Sequence, residues 1–420
     1  MHFKVFKNTV LLFVMVAISC AGKGGNGTVK NEQVNEIPKQ VQDDDKIIVG
    51  ANRTQVYLPL LKGKRVGVVA NQTSVIFRMT RDERQEAKGY NHLVDSLLAL
   101  NVNIKKVFSP EHGFRGTADA GENVKDGIDI KTQLPIFSLH GTHKKPTAEQ
   151  LDDLDIMIFD IQDVGVRFYT YISTLHYVME ACAENNVPLI ILDRPNPNGN
   201  YVDGPTLEKQ HQSFLGMHTI PLVHGMTIGE YAKMINGEGW LKDAAKCNIT
   251  IVEMQHYNHD KTYSLPVRPS PNLPNDQSIA LYPSLGLFEG TNINAGRGTE
   301  FQFQRYGAPF LDAPHYTFSY TPQPNFGSKY PKHQDVLCYG EDLSEVKAER
   351  RFTLEYIIDA YKNSTDKSKV FNTTNFTKHA GTEKLQQQIQ SGMSEEAIRA
   401  SWQDDLKAFK KIRSSYLIYD

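Results

Sequence analysis

The sequence predicts an α/β protein, with a Rossmann-like parallel-sheet N-terminal domain joined to a smaller α+β C-terminal domain. Three observations carry this. Short apolar runs at 65–70, 155–159 and 187–192, with a strand-like segment at 102–108, alternate with helical periodicity at 92–100, 174–185 and 227–236. Strands apolar on both faces belong to parallel sheets covered by helices on either side. At 420 residues the chain exceeds what one small core organises, so two domains are expected. After about residue 263 the texture changes. Pro266, Pro269, Pro271, Pro274 and Pro283 punctuate a loop-rich crossing, and helices are expected at 354–362 and 394–414.

From the start of the chain, Lys4 and Lys7 precede an apolar stretch at 9–17, which is shorter than a membrane span requires and reads as a signal-peptide core. It ends in AISC (17–20), which resembles a bacterial lipobox with Cys20 as the lipidated residue. Residues 21–45 are polar and glycine-containing, the composition of a flexible tether. The expected organisation is therefore a signal peptide at 1–20, a tether at 21–45, a catalytic domain at 46–262 and a C-terminal domain at 263–420. The expected location is exported and lipid-anchored, facing the periplasm of a Gram-negative bacterium. Cys182, Cys247 and Cys338 have no short spacing, so they form neither a zinc motif nor a disulfide framework and are read as structural.

Composition narrows the function classes. A formal net charge of −2 argues against broad nucleic-acid binding, which needs a basic excess. Tyrosine (19) and phenylalanine (20) far outnumber tryptophan (2). Tyrosine-rich surfaces suit sugars, which present apolar C–H faces beside hydroxyl edges, although most such rings belong to cores.

Ligands of open α/β sheets bind beyond the carboxyl ends of the strands. Three expected strands run there into polar segments: SPEHGFRG (109–116), DIQDVGVRFYTYISTL (160–175) and DRPNPNG (193–199). Glu111 stands out, between Pro110 and the flexible Gly113 and Gly116. A carboxylic acid desolvated by a wall such as Phe114 can stay protonated near neutral pH and act as a general acid. A glutamate stabilised by a helix dipole or by Arg115 explains the same residue without chemistry. His112 is a substrate contact, an orienting partner or a structural histidine. Asp160, Asp163, Arg167 and the Asp193–Arg194 pair are near-site or structural ion partners. The second half offers EGTN (289–292), GRGTE (296–300) and RYGAP (305–309) as a facing wall. Gly296 and Gly298 lack the third glycine and preceding strand of a dinucleotide fingerprint. His140 and His143 do not complete a zinc site, and no nucleophile elbow is present.

These motifs, with HGMTIGE (224–230) and SPNLP (270–274), resemble the exo-β-N-acetylmuramidase family, the NamZ-like peptidoglycan hexosaminidases, from about Lys62 onward. The resemblance implies an active cleft between the two domains. It implies release of a non-reducing terminal N-acetylmuramic acid from β-1,4-linked fragments, with no metal and no cofactor. It makes Glu111 the catalytic glutamate. His112, Asp163, Glu289 and Glu300 are candidates for a catalytic partner or substrate contact. Asn71, Arg115, Arg167, Tyr169, Asn292 and Arg297 are candidate substrate-binding residues, with Arg115, Arg167 or Arg297 suited to the lactyl carboxylate. Ser109, Asn198 and Asn200 depart from the family pattern. Retaining, inverting and substrate-assisted routes stay open, since they differ by a carboxylate spacing that sequence does not give. The implied partners are peptidoglycan fragments and, through the lipid anchor, a membrane. Two other readings share the export signals: a lipid-anchored cell-wall sugar-binding protein, and an exported nucleotide or phosphosugar enzyme.

Overall fold

The computed structural model of the chain describes residues 46–77, 89–116, 122, 126–347 and 349–420. The expected signal peptide, the tether and Cys20 lie outside them. The described chain opens with α1 (Thr54–Leu61) and enters a sheet at β1 (Val66–Ala70). An antiparallel pair follows, β2 (Val75–Phe77) with β3 (Tyr90–His92), then α2 (Leu93–Ala99) and β4 (Ile104–Ser109). Next come β5 (Gly127–Ile128), β6 (Pro135–Ser138), α3 (Ala148–Leu151), β7 (Ile156–Asp160), α4 (Tyr171–Glu184), β8 (Leu189–Leu192), α5 (Ile228–Gly237) and β9 (Ile249–Val252).

The main sheet has the order β5-β6-β4-β1-β7-β8-β9, and every pairing in it is parallel except β5 with β6. The chain thus builds one way from β1 through β4 and β6, then the other way through β7, β8 and β9. The order reverses beside β1, where doubly wound sheets open a crevice at their carboxyl ends. Side-chain alternation explains the continuous apolar strands. Val69, Phe159 and Ile191 pack on one face while Val68, Ile158 and Ile190 pack on the other, and both faces are covered. Residue choice at the helix starts is local: Thr227 and Glu230 form a reciprocal capping box that fixes the beginning of α5.

Beyond β9 the chain forms α6 (Asp276–Leu285), then β10 (Arg305–Ala308), β11 (Phe318–Tyr320) and β12 (Cys338–Asp342), an antiparallel sheet ordered β10-β12-β11. The helices α7 (Glu355–Lys362), α8 (Thr373–Ala380), α9 (Lys384–Gln390), α10 (Glu395–Ala400) and α11 (Gln403–Arg413) complete it. This is the expected smaller α+β part. The helix expected at 394–414 is two helices. Trp402 leaves helical geometry (φ −115°, ψ 8°) to bury its indole, which ends α10 and starts α11.

The core on one face of the main sheet does not stop at the end of β9. Phe159, Leu175 and Ile191 belong to the same continuous apolar cluster as Leu285, Phe288, Phe352 and Trp402. Residues from Asp45 onward accordingly form one compact unit. Burial of each such side chain contributes about 1.5–3 kcal/mol, so the seam between the two parts is as dry as either interior. Cys182, Cys247 and Cys338 are all buried and unbridged, in keeping with a structural role.

Candidate active site

The strands β4, β1, β7 and β8 end side by side, and their following loops meet on one rim. After β4 the chain makes a tight turn in which His112 (φ 72°), Gly113 (φ 76°) and Gly116 (φ 74°) all adopt left-handed backbone. Glycine takes this conformation freely, whereas a histidine there is strained and is held by its surroundings. A side chain on Gly116 would also strike Gln72, within 2.9 Å. The turn delivers the Glu111 carboxylate to α4, where the Thr170 hydroxyl donates to Glu111 Oε2 at 3.0 Å.

A chain of contacts then crosses to the second half of the protein. Tyr169 and Tyr171, which flank Thr170, both donate to the Pro269 carbonyl, at 2.7 and 3.1 Å. Asn71 Nδ2 donates to the Tyr171 hydroxyl at 2.9 Å, and Gln72 Nε2 donates to the same Pro269 carbonyl at 3.1 Å. Three residues on, Asn272 Nδ2 donates to the Gly327 carbonyl at 2.7 Å. Arg297 Nη2 reaches that carbonyl too, at 3.3 Å, while its Nη1 pairs with Glu289 Oε1 at 3.1 Å. Glu111 and the Glu289–Arg297 pair therefore stand on two walls laced together beneath. The buried Tyr282 phenol registers both: burial lifts its pKa well above the ordinary value, Glu289 and Glu111 raise it further, Arg297 opposes them, and Asp163 adds to the rise.

Beside the second wall lies a cavity of ≈ 180 Å³, lined by Glu289, Asn294, Arg297, Ser328, Tyr330 and Lys332. Lys332 anchors its edge. It donates to the carbonyls of Phe288 (2.9 Å), Glu289 (3.2 Å), Thr291 and Ile293, and burial lowers its pKa to about 8. A larger hollow of ≈ 540 Å³ beside Lys64, Asp155 and Asn186 lies at the amino ends of β1 and β7 and gathers none of the motif residues.

Several expected ligand contacts are framework instead. Arg115 holds Asp129 at 2.7 Å and Asp95 at 3.2 Å and lies 4.4 Å over the Phe114 ring, so its charge is already matched. Phe114 itself turns into the core against His92 rather than serving as an exposed wall. Arg167 is fully buried. Its guanidinium donates to the carbonyls of Pro205, Ile220, His379 and Ala380, and burial lowers its pKa to about 9. Asn71 is likewise enclosed, with its Oδ1 accepting from Thr73, and Tyr169 gives its hydroxyl to Pro269. The polar groups of these four are engaged within the protein in this structure. Asn292 is exposed, and its amide donates to the Lys369 carbonyl at 2.8 Å. Glu300 is exposed and makes no side-chain hydrogen bond among the described residues.

Of the buried acids, Asp160 is matched by Arg194 through two bonds of 2.6 and 2.8 Å. Asp193 accepts from Thr227, Gly229 and Tyr419. Asp163 differs. Its Oδ2 accepts from the Gly165 amide at 2.7 Å and lies 3.7 Å from His224 Nε2, while its Oδ1 has no hydrogen-bond partner. Burial pushes its pKa up to about 7, with the amides of Gly165 and Val164 pulling the other way. His224 is driven down to about 3 by burial and by Arg413 and Arg167, so it is neutral and gives Asp163 no counter-charge. Sequence reasoning did not single out Thr170, Tyr171, Gln72, Asn272 or Lys332. Apart from Gln72 and Lys332, these fall inside the motifs quoted above, which were the available signal.

A glutamate on a strained turn at the carboxyl end of a parallel sheet, and a second glutamate paired with an arginine, both felt by the one buried Tyr282 phenol, fit the class of α/β glycoside hydrolases. The N-terminal profile of exo-β-N-acetylmuramidase NamZ matches residues 66–277, and the C-terminal profile matches residues 280–419. The chain is 40% identical over 389 residues to the peptidoglycan β-N-acetylmuramidase NamZ of Bacillus subtilis (strain 168), covering 86% of this chain and 89% of that protein. The crystal structure of a DUF1343 family protein from Bacteroides fragilis NCTC 9343 superposes with a TM-score of 0.79 at 42% identity, covering 89% of this chain and 99% of that one. A second DUF1343 protein from the same organism gives 0.72 at 28% identity, covering 90% and 100%. The chain belongs to the exo-β-N-acetylmuramidase NamZ family.

Proposed function

We propose that the enzyme releases N-acetylmuramic acid from the non-reducing end of β-1,4-linked peptidoglycan fragments, with Glu111 as the general acid. The observation that carries this reading is the turn itself. Strained and glycine-dependent backbone presents one carboxyl group at the strand end, oriented by the Thr170 hydroxyl and facing the cleft. Glu111 protonates the glycosidic oxygen as the bond to the anomeric carbon breaks through an oxocarbenium-like state. Glu289, held by Arg297 on the facing wall, is the carboxylate to which we assign the second role. Arg297 also suits the lactyl carboxylate of muramic acid, since it is the one of the three candidate arginines that lines the cavity.

Product analysis on a muramyl-β-1,4-glucosaminide disaccharide tests this. Wild-type enzyme releases free N-acetylmuramic acid, and Glu111→Gln loses about 10²–10⁴-fold in kcat while keeping its fold. The loss is smaller on an aryl muramide, whose leaving group needs little protonation. Near-native turnover by folded Glu111→Gln would overturn the assignment of the acid, and intact disaccharide after wild-type incubation would favour a sugar-binding protein. The lipobox-like AISC supports export and lipid attachment at Cys20, facing the periplasm. Mass spectrometry of the processed N-terminus checks this, and an unacylated residue there would refute it.

A further inference from the structure

We propose that Tyr330 is a stacking platform for the sugar on the reducing side of the scissile bond; this rests on the muramidase reading above. Tyr330 is 91% exposed, an uncommon state for a large aromatic side chain on a well-anchored segment. Among the described residues its ring makes no aromatic contact and its hydroxyl no hydrogen bond. The backbone around it is nonetheless braced on every side. Upstream, the Gly327 carbonyl is gripped by Asn272 and Arg297, and any side chain on Gly327 would strike Pro271 at 2.8 Å. The next residue, Pro331, restricts the Tyr330 backbone and packs so close to Gly298 that a Cβ there would lie 2.6 Å away. Lys332 then plugs its ammonium into four carbonyls.

With the Tyr330 backbone held and its ring left uncovered, binding a ligand there costs only the ordering of one side chain, since the loop is already in place. Its place fixes which ligand. Tyr330 lines the cavity that holds Glu289 and Arg297 and, with Lys332, is one of the two exposed members of that lining, which puts it at the mouth. Its neighbour Lys329 pairs at 2.8 Å with Glu122, so this loop also meets the first half of the chain. With the muramyl carboxylate held inside at Arg297, the residue leaving through the mouth is the N-acetylglucosamine across the scissile bond. A pyranose offers an apolar C–H face to an aromatic ring, and the tyrosine hydroxyl stays wet.

The test compares Tyr330→Ala, Tyr330→Phe and wild type on the disaccharide, alongside inhibition by free N-acetylmuramic acid. Tyr330→Ala raises KM about fivefold, the size of one lost aromatic contact, while Tyr330→Phe behaves as wild type. Inhibition by free N-acetylmuramic acid is unchanged in both variants. An unchanged KM in Tyr330→Ala overturns the platform alone, and so does equal weakening of inhibition by the free sugar, which would mark a structural role. A wild-type enzyme that leaves the disaccharide intact overturns the platform together with the muramidase reading.

Discussion

The two walls of the cleft are built on opposite terms. On the strand-end wall, polar side chains are buried and their hydrogen bonds are spent inside the protein: Arg167 on four carbonyls, Asn71 on Thr73 and Tyr171, and Asp160 on Arg194. On the facing wall, Arg297 and Glu289 keep about a quarter of their side-chain surface exposed (26% and 25%), and Tyr330 is bare. Motif residues on the first wall are therefore committed to the fold, while the second wall keeps polar and aromatic groups exposed, as the proposed sugar site requires. A polar residue in a family motif is as often a beam as a hand.

The largest effect that would sharpen this contrast is on folding. Arg167→Met leaves four buried carbonyls without a donor, and the expected loss is ~4 kcal/mol in stability, read as the denaturant midpoint. A folded, fully stable variant with impaired substrate binding would instead make Arg167 a ligand and erase the difference between the walls. Next in size, Arg297→Lys keeps the charge but gives up the two-pronged geometry, so kcat/KM on the disaccharide falls about tenfold with the melting temperature little changed. A melting temperature that drops as far as that of Arg167→Met would put Arg297 with the framework.

The smallest effect is a pH dependence on the first wall. The folded Asp163 carboxyl titrates at about 7, above its ordinary 3.8, so between those values the folded protein holds a proton that the unfolded chain gives up. Its contribution to stability is full below the ordinary value and is lost as pH rises towards 7. Asparagine stays neutral throughout. The melting temperature of Asp163→Asn should therefore gain on wild type by about 2 °C or more as pH rises from 4 to 7, then run parallel above it. Curves parallel across the whole range would show that Asp163 does not titrate in this window.

What the sequence made legible follows from locality. The apolar runs became β1, β7 and β8 because four or five consecutive buried residues suffice to mark a strand covered on both faces. Glu111 could be picked out because the glycines that free its turn are its neighbours. Whether Arg167 was a ligand contact or a structural ion partner stayed open in the sequence because nothing nearby reveals its acceptors; one of them, Ala380, lies 213 residues further on. Tyr169 and Tyr171 likewise find Pro269 about a hundred positions away. The exposed wall escaped for the opposite reason. Tyr330 belongs to no motif, and its meaning comes from what surrounds it without covering it.

The apolar cluster that runs from under the main sheet into the second part has a consequence for inheritance. The two family profiles meet between residues 277 and 280, a natural place to splice halves from different relatives. Yet Phe159 and Ile191 share one interior with Phe288 and Trp402, so such a hybrid would join two half-cores shaped for other partners. Mismatched shapes there leave voids or clashes, and the halves are bound to change together.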